Sequence, residues 1–401
     1  VTDWVPVGQS VRQAPHAHRR RRLVSRVWDR DSPLRHLDGV LVVAVLLMSV
    51  LGCLLVWSAT RQRAIDTGGD PQAYLKKDVL NLVLGLLLAT GTALIDYRTL
   101  RAYAPVLYVG SLLGLLAVLT PLGSTINGAH SWIVVGGGFE LQPAEFAKIA
   151  LIVGMAMLLG ERRDNELGPR DGDVVAVLGL AAVPMILIML QPDFGTTMVF
   201  VAIILGVLAV SGAPARWVWG LITVGVVFVA LVLSLHLLQP YQEARLTNFA
   251  HPNAATSSTG YNVDQAKTAI GSGGLLGKGL FHGTQTAGNF VPEQQTDFVF
   301  TVAGEELGFA GAGLIVGLLG VVLFRAWWIA RGATDLFGRI VGAGVVTWFG
   351  FQGFINIGMT LGITPVTGLP LPFVSYGGSA TFVNMIAVGL LLNVHRGSRR
   401  S

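Results

Sequence analysis

Apolar runs long enough to cross a bilayer dominate this sequence and constrain everything else in it. A spanning helix needs about 20 mostly apolar residues. Ten stretches qualify: 38–60, 78–96, 102–121, 143–160, 173–190, 195–212, 215–238, 298–324, 337–361 and 371–394. In lipid, backbone polar groups must be satisfied within the protein, so such runs fold as helices. The expected fold is therefore all-α: a polytopic membrane protein with about ten transmembrane helices. Composition agrees, because only 13% of the residues are charged, half of the roughly 25% usual in soluble proteins. The 51 glycines suit helices that pack closely through small residues. Cys53 is the one cysteine, which rules out a disulfide within the chain and reads as packing.

Charge between the runs sets the orientation. Lys and Arg in alternate connections divide 20 to 7, with Lys148 inside a run. By the positive-inside rule the richer set is cytoplasmic, which puts both termini inside. Residues 1–37 are polar and carry the run Arg19–Arg22; a signal peptide has a shorter basic region, so this is read as a cytoplasmic tail. Residues 38–394 form the membrane domain, 240–297 a large extracytoplasmic loop, and 395–401 a second cytoplasmic tail. The basic balance is thus a topology signal in a plasma-membrane protein, and nucleic acid is not an expected partner.

Chemistry-bearing residues gather on the outward side. The segments are NGAHSWIVVGGGFELQPAEFAK (127–148), LQPDFGTT (190–197), the loop 240–297, and GITPVTGLPLPFVSYGGS (362–379). Four such segments on one face point to one composite site. Asp297 stands where the long loop meets the eighth run. A carboxylate at the membrane rim is partly dehydrated, which suits a general base; equally, Thr296 or Asp297 could simply cap the following helix. Glu305 and Glu306 lie about 12 Å deeper at 1.5 Å per residue, where ionisable groups are functional candidates. Glu145 and Lys148 are three apart, hence on one helix face; they read as an internal ion pair or as a pair that orients a site. Asp193 is a turn residue ahead of Gly195 or a second carboxylate of the same cavity.

Arg245, Lys267 and Lys278 are the only cations in the 58-residue loop. They could bind a pyrophosphate, Arg as a fork and Lys as a point charge, or be solvated loop charge. The segment GSGGLLGKG (271–279) superficially resembles a phosphate-binding P-loop. Ser272 stands where the first Gly is needed and Gly279 where Ser or Thr is needed, so a nucleotide site is rejected. His130, His251 and His282 are scattered, without metal-ligand spacing, and no G-x-S-x-G elbow is present.

Taken in order, NGAHSWI, QPAEFAK, QPDFGTT, PEQQTDFVFTVAGEELGFAG and GLPLPFVSYGGS resemble the SEDS family of cell-wall polymerases, which contains RodA, FtsW and SpoVE. The resemblance covers about 38–394 and implies inverting glycosyl transfer from lipid II on the outer face of the plasma membrane. Undecaprenyl pyrophosphate would be the leaving group. It implies Asp297 as catalytic base and Glu145, Lys148 and Asp193 on motif positions of a central cavity. Arg245 and Lys278 are candidates for phosphate contact, and Ser375 and Tyr376 sit in the signature before the last run, where Pro372 could shape the wall. A divalent cation, Mg or Mn, could assist the pyrophosphate. Membrane lipids and a class B penicillin-binding protein transpeptidase are the implied partners, the latter docking on Gly311, Gly313 and Gly317 or Gly342, Gly344 and Gly350, unless these glycines pack within the chain. His130 and Ser131 stand where family members commonly have Arg nearby, which leaves that contact absent or made by His130. The loop text GLFHGTQTAGNFVPEQQTDF looks more like RodA than FtsW, hence an expectation of elongation. A lipid-linked sugar flippase and a non-catalytic scaffold for the transpeptidase are the competing readings.

Overall fold

The computed structural model describes residues 38–95, 97–126, 129–136, 139–160, 168–235 and 258–398. The tail 1–37, the segment 236–257 with Arg245 and His251, and residues 399–401 lie outside the described residues. The chain is an all-helical polytopic membrane protein, with one small sheet among the described residues. Its helices are α1 (Gly39–Asp66), α2 (Ala73–Leu94), α3 (Tyr97–Ala102), α4 (Ala104–Val118), α5 (Pro143–Leu159), α6 (Asp171–Met189), α7 (Phe194–Ser211) and α8 (Ala215–Ser234). After the long loop come α9 (Ser258–Ser272), α10 (Thr284–Ala287), α11 (Val299–Glu306), α12 (Gly308–Arg331), α13 (Leu336–Leu361) and α14 (Gly378–Ser398). Among the described residues eight helices are long and apolar enough to cross a membrane. The third and fourth runs are shorter, 15 and 17 residues in α4 and α5.

Close approach through small residues holds the bundle together. A Cβ added at Gly389 of α14 would lie 2.5 Å from Ala89 O of α2, and one at Gly344 of α13 would lie 2.8 Å from Ile152 of α5. Asn393 Nδ2 donates to Thr92 O and Ile95 O at 2.9 and 2.7 Å, covering the carbonyls at the end of α2. At the start of α1, Asp38 accepts from Leu41 N and from Arg325 of α12. α11 is buried along its whole length and α5, α13 and α14 over most of theirs, whereas the spanning window of α8 has no buried residue. Of the glycines expected to form a docking face, Gly342 and Gly344 meet neighbouring helices, while Gly313 and Gly317 have open space around them.

The loop expected at 122–142 is ordered into β1 (Gly123–Ile126), β2 (Ala129–Val135) and β3 (Phe139–Leu141), an antiparallel meander leading into Pro143 at the first turn of α5. Thr125 Oγ1 and His130 Nδ1 are 2.9 Å apart across the first pair. The loop expected at 240–297 carries two helices, α9 and α10, in its described part, with Ala266 and Ala269 of α9 buried.

Two of the expected runs are not continuous helices. The eighth breaks at Leu307 between α11 and α12, where Gly308 takes φ +66°. The break frees backbone groups, and the glycine-rich segment that resembled a P-loop satisfies them. Lys278 N and Gly279 N donate to Glu305 O and Glu306 O at 3.1 and 3.0 Å; Phe309 N and Ala310 N donate to Gly274 O and Leu275 O at 2.9 and 3.0 Å. Irregular backbone at membrane depth persists only where protein satisfies it in this way. A Cβ on Gly308 would sit 2.2 Å from Gly277 N, and a left-handed non-glycine residue costs roughly 1–3 kcal/mol by itself. Gly308→Ala is therefore expected to lower the folded yield and the melting temperature in detergent. An unchanged melting curve would show that the interlock gives way freely.

The last run begins as a helix only at Gly378. Residues 363–377, with three prolines, form an irregular strap with Leu369, Leu371 and Val374 buried. A Cβ on Gly52 of α1 would lie 2.6 Å from Val374 O, so α1 packs directly on it.

Candidate functional site

A buried strap must find partners for its backbone, and the side chains that supply them organise the site. Gln352 and Asn356 lie four apart on one face of α13, both fully buried. Gln352 Nε2 donates to Pro370 O at 2.7 Å, and Asn356 Nδ2 donates to Leu369 O at 2.7 Å. Ser375 Oγ accepts from Leu371 N at 2.8 Å and donates to Thr296 O, while Tyr376 N donates to Gln295 O at 2.9 Å. Ser375 and Tyr376 thus stitch the strap to the segment that carries Asp297.

Asp297 is half-buried at the entry to α11. Its N–H donates to Glu293 O at 3.1 Å and its C=O accepts from Asn356 Nδ2 at 2.8 Å. The carboxylate faces the strap at Gly368, where an added Cβ would stand 3.5 Å from Asp297 Oδ2 and φ is +76°. The N-cap of α11 is Phe298, which supplies no side-chain cap, and Thr296 Oγ1 donates back to Glu293 O at 3.2 Å.

Glu145 and Lys148 form an ion pair of 2.6 Å in the first turns of α5, with side chains 3% and 0% exposed. Lys148 Nζ also donates to Gln352 Oε1 at 3.2 Å and lies 4.6 Å from the centre of the Trp348 ring. Gln352 therefore joins the pair to the strap. Asp193 caps α7, its Oδ1 accepting from Thr196 N at 2.9 Å, and it accepts from Gln142 Nε2 at 3.1 Å. The adjoining Gly195 abuts the strap at Thr367 and Leu369. Ser379 Oγ completes this side, accepting from Gln142 N and donating to Glu140 O at 2.9 and 3.1 Å.

Glu305 and Lys278 belong to a different network. Glu305 accepts from Lys278 Nζ, Gln285 N, Thr286 N and Thr286 Oγ1, all within 2.8–2.9 Å. It holds the 278–286 segment against α11. Glu306 accepts from Ser58 Oγ of α1 at 2.6 Å. Glu305, Glu306 and Lys278 thus brace the loop that leads to Asp297, and Arg245 lies outside the described residues.

The sequence reading passed over Gln352, Asn356 and Asp78. Two amides spaced i, i+4 in the apolar 26-residue α13 were the available signal. Asp78 is a carboxylate 6% exposed in α2 beside the Cys53 thiol; it lies close to Tyr376, whose ring meets Tyr74 edge-on at 5.1 Å. Burial, with Tyr74, Asp78 and Glu140 adding, pushes the Tyr376 phenol up to about 12. Among the described residues no group of three or more His, Cys, Asp or Glu side chains is arranged to hold a metal.

The arrangement offers the partly shielded carboxylate of Asp297, a buried ion pair joined to the strap through Gln352, and a wall of backbone whose carbonyls are held by side chains. A carboxylate so placed is chemically able to act as a proton acceptor. A family profile described as cell cycle protein, covering FtsW, RodA and SpoVE, matches residues 39–400. Stage V sporulation protein E of Bacillus subtilis (strain 168) is 40% identical over 365 residues, 90% of this chain and 98% of that protein. Peptidoglycan glycosyltransferase MrdB of Escherichia coli (strain K12) is 36% identical over 371 residues, 92% of this chain and 95% of that one. Among solved structures, a chain from a peptidoglycan synthase complex described as coordinating polymerization and crosslinking superposes with a TM-score of 0.75. Its identity is 32%, with 91% of this chain and 99% of that chain covered.

Proposed function

This chain belongs to the FtsW, RodA and SpoVE family and is a peptidoglycan glycosyltransferase that polymerises glycan strands; from that premise we propose that it draws on lipid II at the outer face of the plasma membrane, with Asp297 as base, in cell elongation. The observation that carries the enzyme reading is the match to MrdB over 92% of the chain. In the reaction, the 4-hydroxyl of an acceptor GlcNAc attacks the anomeric carbon of the donor MurNAc with inversion. The new glycosidic bond forms as the bond to undecaprenyl pyrophosphate breaks, and Asp297 takes the hydroxyl proton. The seating of the Asp297 carboxylate against the strap at Gly368 supports that role. The Glu145–Lys148 pair, Asp193, Ser375 and Tyr376 hold the wall of the site. Arg245 and Lys278 serve the departing pyrophosphate; Lys278 keeps 26% of its side chain exposed while bonded to Glu305.

Both termini are cytoplasmic on this reading, supported by the 20 to 7 division of Lys and Arg. A class B penicillin-binding protein cross-links the product, and the superposition on a chain of a peptidoglycan synthase complex supports that partnership. The open glycines Gly313 and Gly317 of α12 offer a docking face. The elongation role rests on the loop text GLFHGTQTAGNFVPEQQTDF. The 40% identity to stage V sporulation protein E favours a second reading, spore wall synthesis. Depletion in growing cells separates the two: rounding supports elongation, and normal growth with defective spores supports the second.

The enzyme assay is glycan formation from purified lipid II by the full chain in detergent, alone and with its transpeptidase. Lengthening glycan is the expected result. A protein that makes no polymer but moves lipid II between vesicle leaflets is a flippase, and one that does neither while binding the transpeptidase is a scaffold.

A further inference from the structure

The turn that presents Asp297 is irregular: Glu293 has φ +52°, and the N–H groups of Thr296, Asp297 and Phe298 all converge on Glu293 O at 3.2, 3.1 and 3.3 Å. Its outer edge shows three consecutive carbonyls, at Gln295, Thr296 and Asp297. Tyr376 N, Ser375 Oγ and Asn356 Nδ2 each bind one of them. The first two donors belong to the strap, which is itself irregular. Of these three donors only Asn356 comes from a long membrane helix, α13, and it binds the carbonyl of Asp297 itself; Gln294 Nε2 ties the start of the turn to Ala59 O of α1 at 3.3 Å.

The same Nδ2 also donates to Leu369 O at 2.7 Å. One amide group therefore bridges Asp297 and the residue next to Gly368, the two sides of the gap across which the carboxylate faces the strap. Asn356 Oδ1 is buried with no hydrogen-bond partner among the described residues. Burying an unpaired acceptor is unfavourable, so the side chain is present for its two N–H groups. Gln352, one turn earlier, makes the equivalent bond to Pro370 O but does not reach the turn.

Resting on the reading of Asp297 as base, we propose that Asn356 is a positioning residue that fixes the distance and direction of the Asp297 carboxylate relative to the strap at Gly368. It touches no substrate. It acts by holding two backbone carbonyls, so that an acceptor hydroxyl entering between strap and carboxylate meets the base in line for proton transfer. A displacement of about 1 Å at such a group can slow a reaction roughly a hundredfold.

The test compares wild type, Asn356→Leu and Asn356→Asp as full chains in detergent, with and without the transpeptidase, measuring kcat and KM for lipid II and the melting temperature. Asn356→Leu keeps the bulk and removes both donors. It is expected to lower kcat roughly a hundredfold, with KM within about threefold of wild type and unchanged partner binding. Asn356→Asp keeps the size and can donate one hydrogen bond only while the introduced carboxyl is protonated. Its rate relative to wild type at the same pH is expected to rise as pH falls. A folded Asn356→Leu protein with kcat near wild type overturns the proposal, as does a loss confined to KM. Should Asn356→Leu fail to fold, the pH dependence of Asn356→Asp decides, and a rate ratio flat with pH overturns it. Wild type that makes no polymer overturns the enzyme reading and this proposal together. Active wild type, inactive Asp297→Asn and active Asn356→Leu remove the positioning role alone.

Discussion

Asp297→Asn is expected to abolish glycan polymerisation while the protein folds and binds its transpeptidase as wild type does. An amide has nearly the shape of a carboxylate but cannot take up the acceptor's proton. General bases contribute about 10²- to 10⁴-fold, so residual activity should fall at least to the lower of these limits. The fold should survive because Asp297 is anchored through its backbone, by Glu293 O and Asn356 Nδ2. The substitution also discriminates against the capping alternative, because Asn caps helices as well as Asp does. A capping role would leave activity intact. Polymerisation by Asp297→Asn at the wild-type rate, with lipid II as sole donor, would falsify the base assignment.

Glu145→Ala is expected to cost about 3–5 kcal/mol, the usual penalty for leaving a buried charge without its partner. Lys148 would retain only Gln352 Oε1 and the face of Trp348. The folded yield and melting temperature in detergent should drop sharply, and polymerisation with them. Replacing the whole pair, Glu145→Ala with Lys148→Met, removes both charges, and such replacements are often nearly neutral for stability. Recovery of the fold without recovery of polymerisation would assign the pair to the site, through Gln352 and the strap. Recovery of both would reduce it to packing. A Glu145→Ala protein that melts and polymerises like wild type would show the pair to be idle.

Much of the architecture was legible before any coordinates because lipid leaves few choices. Apolar length sets helix number, and among the described residues each of the ten runs coincides with a helix, eight of these being long and apolar enough to span and α4 and α5 being shorter. Where the reading differed, the cause is irregular backbone. The runs 298–324 and 371–394 are long and apolar enough to read as continuous spans, yet one breaks at Gly308 and the other starts late, after Pro370 and Pro372. Hydropathy averages over a window and does not register where a chain leaves helical geometry. The P-loop-like segment 271–279 shows the same limit. Its glycines permit close backbone approach, and only the fold reveals that the backbone approached is the α11–α12 break.

The candidate site divides similarly. Charged residues stand out in an apolar chain, so Asp297, Glu145, Lys148, Asp193, Glu305 and Glu306 were all visible. Their grouping was not: Lys148 and Asp297 are 149 positions apart, and Gln352 and Asn356 connect each to the strap from a third helix. Neutral amides carry no charge signal, and their value depends on which carbonyls they meet. By itself, then, the sequence determined that the chain spans the membrane, roughly where, and which residues are too polar to be there without a reason. The tertiary structure alone decided which of those residues share a site and which brace a loop, because hydrogen bonds between distant segments form only once the helices have packed.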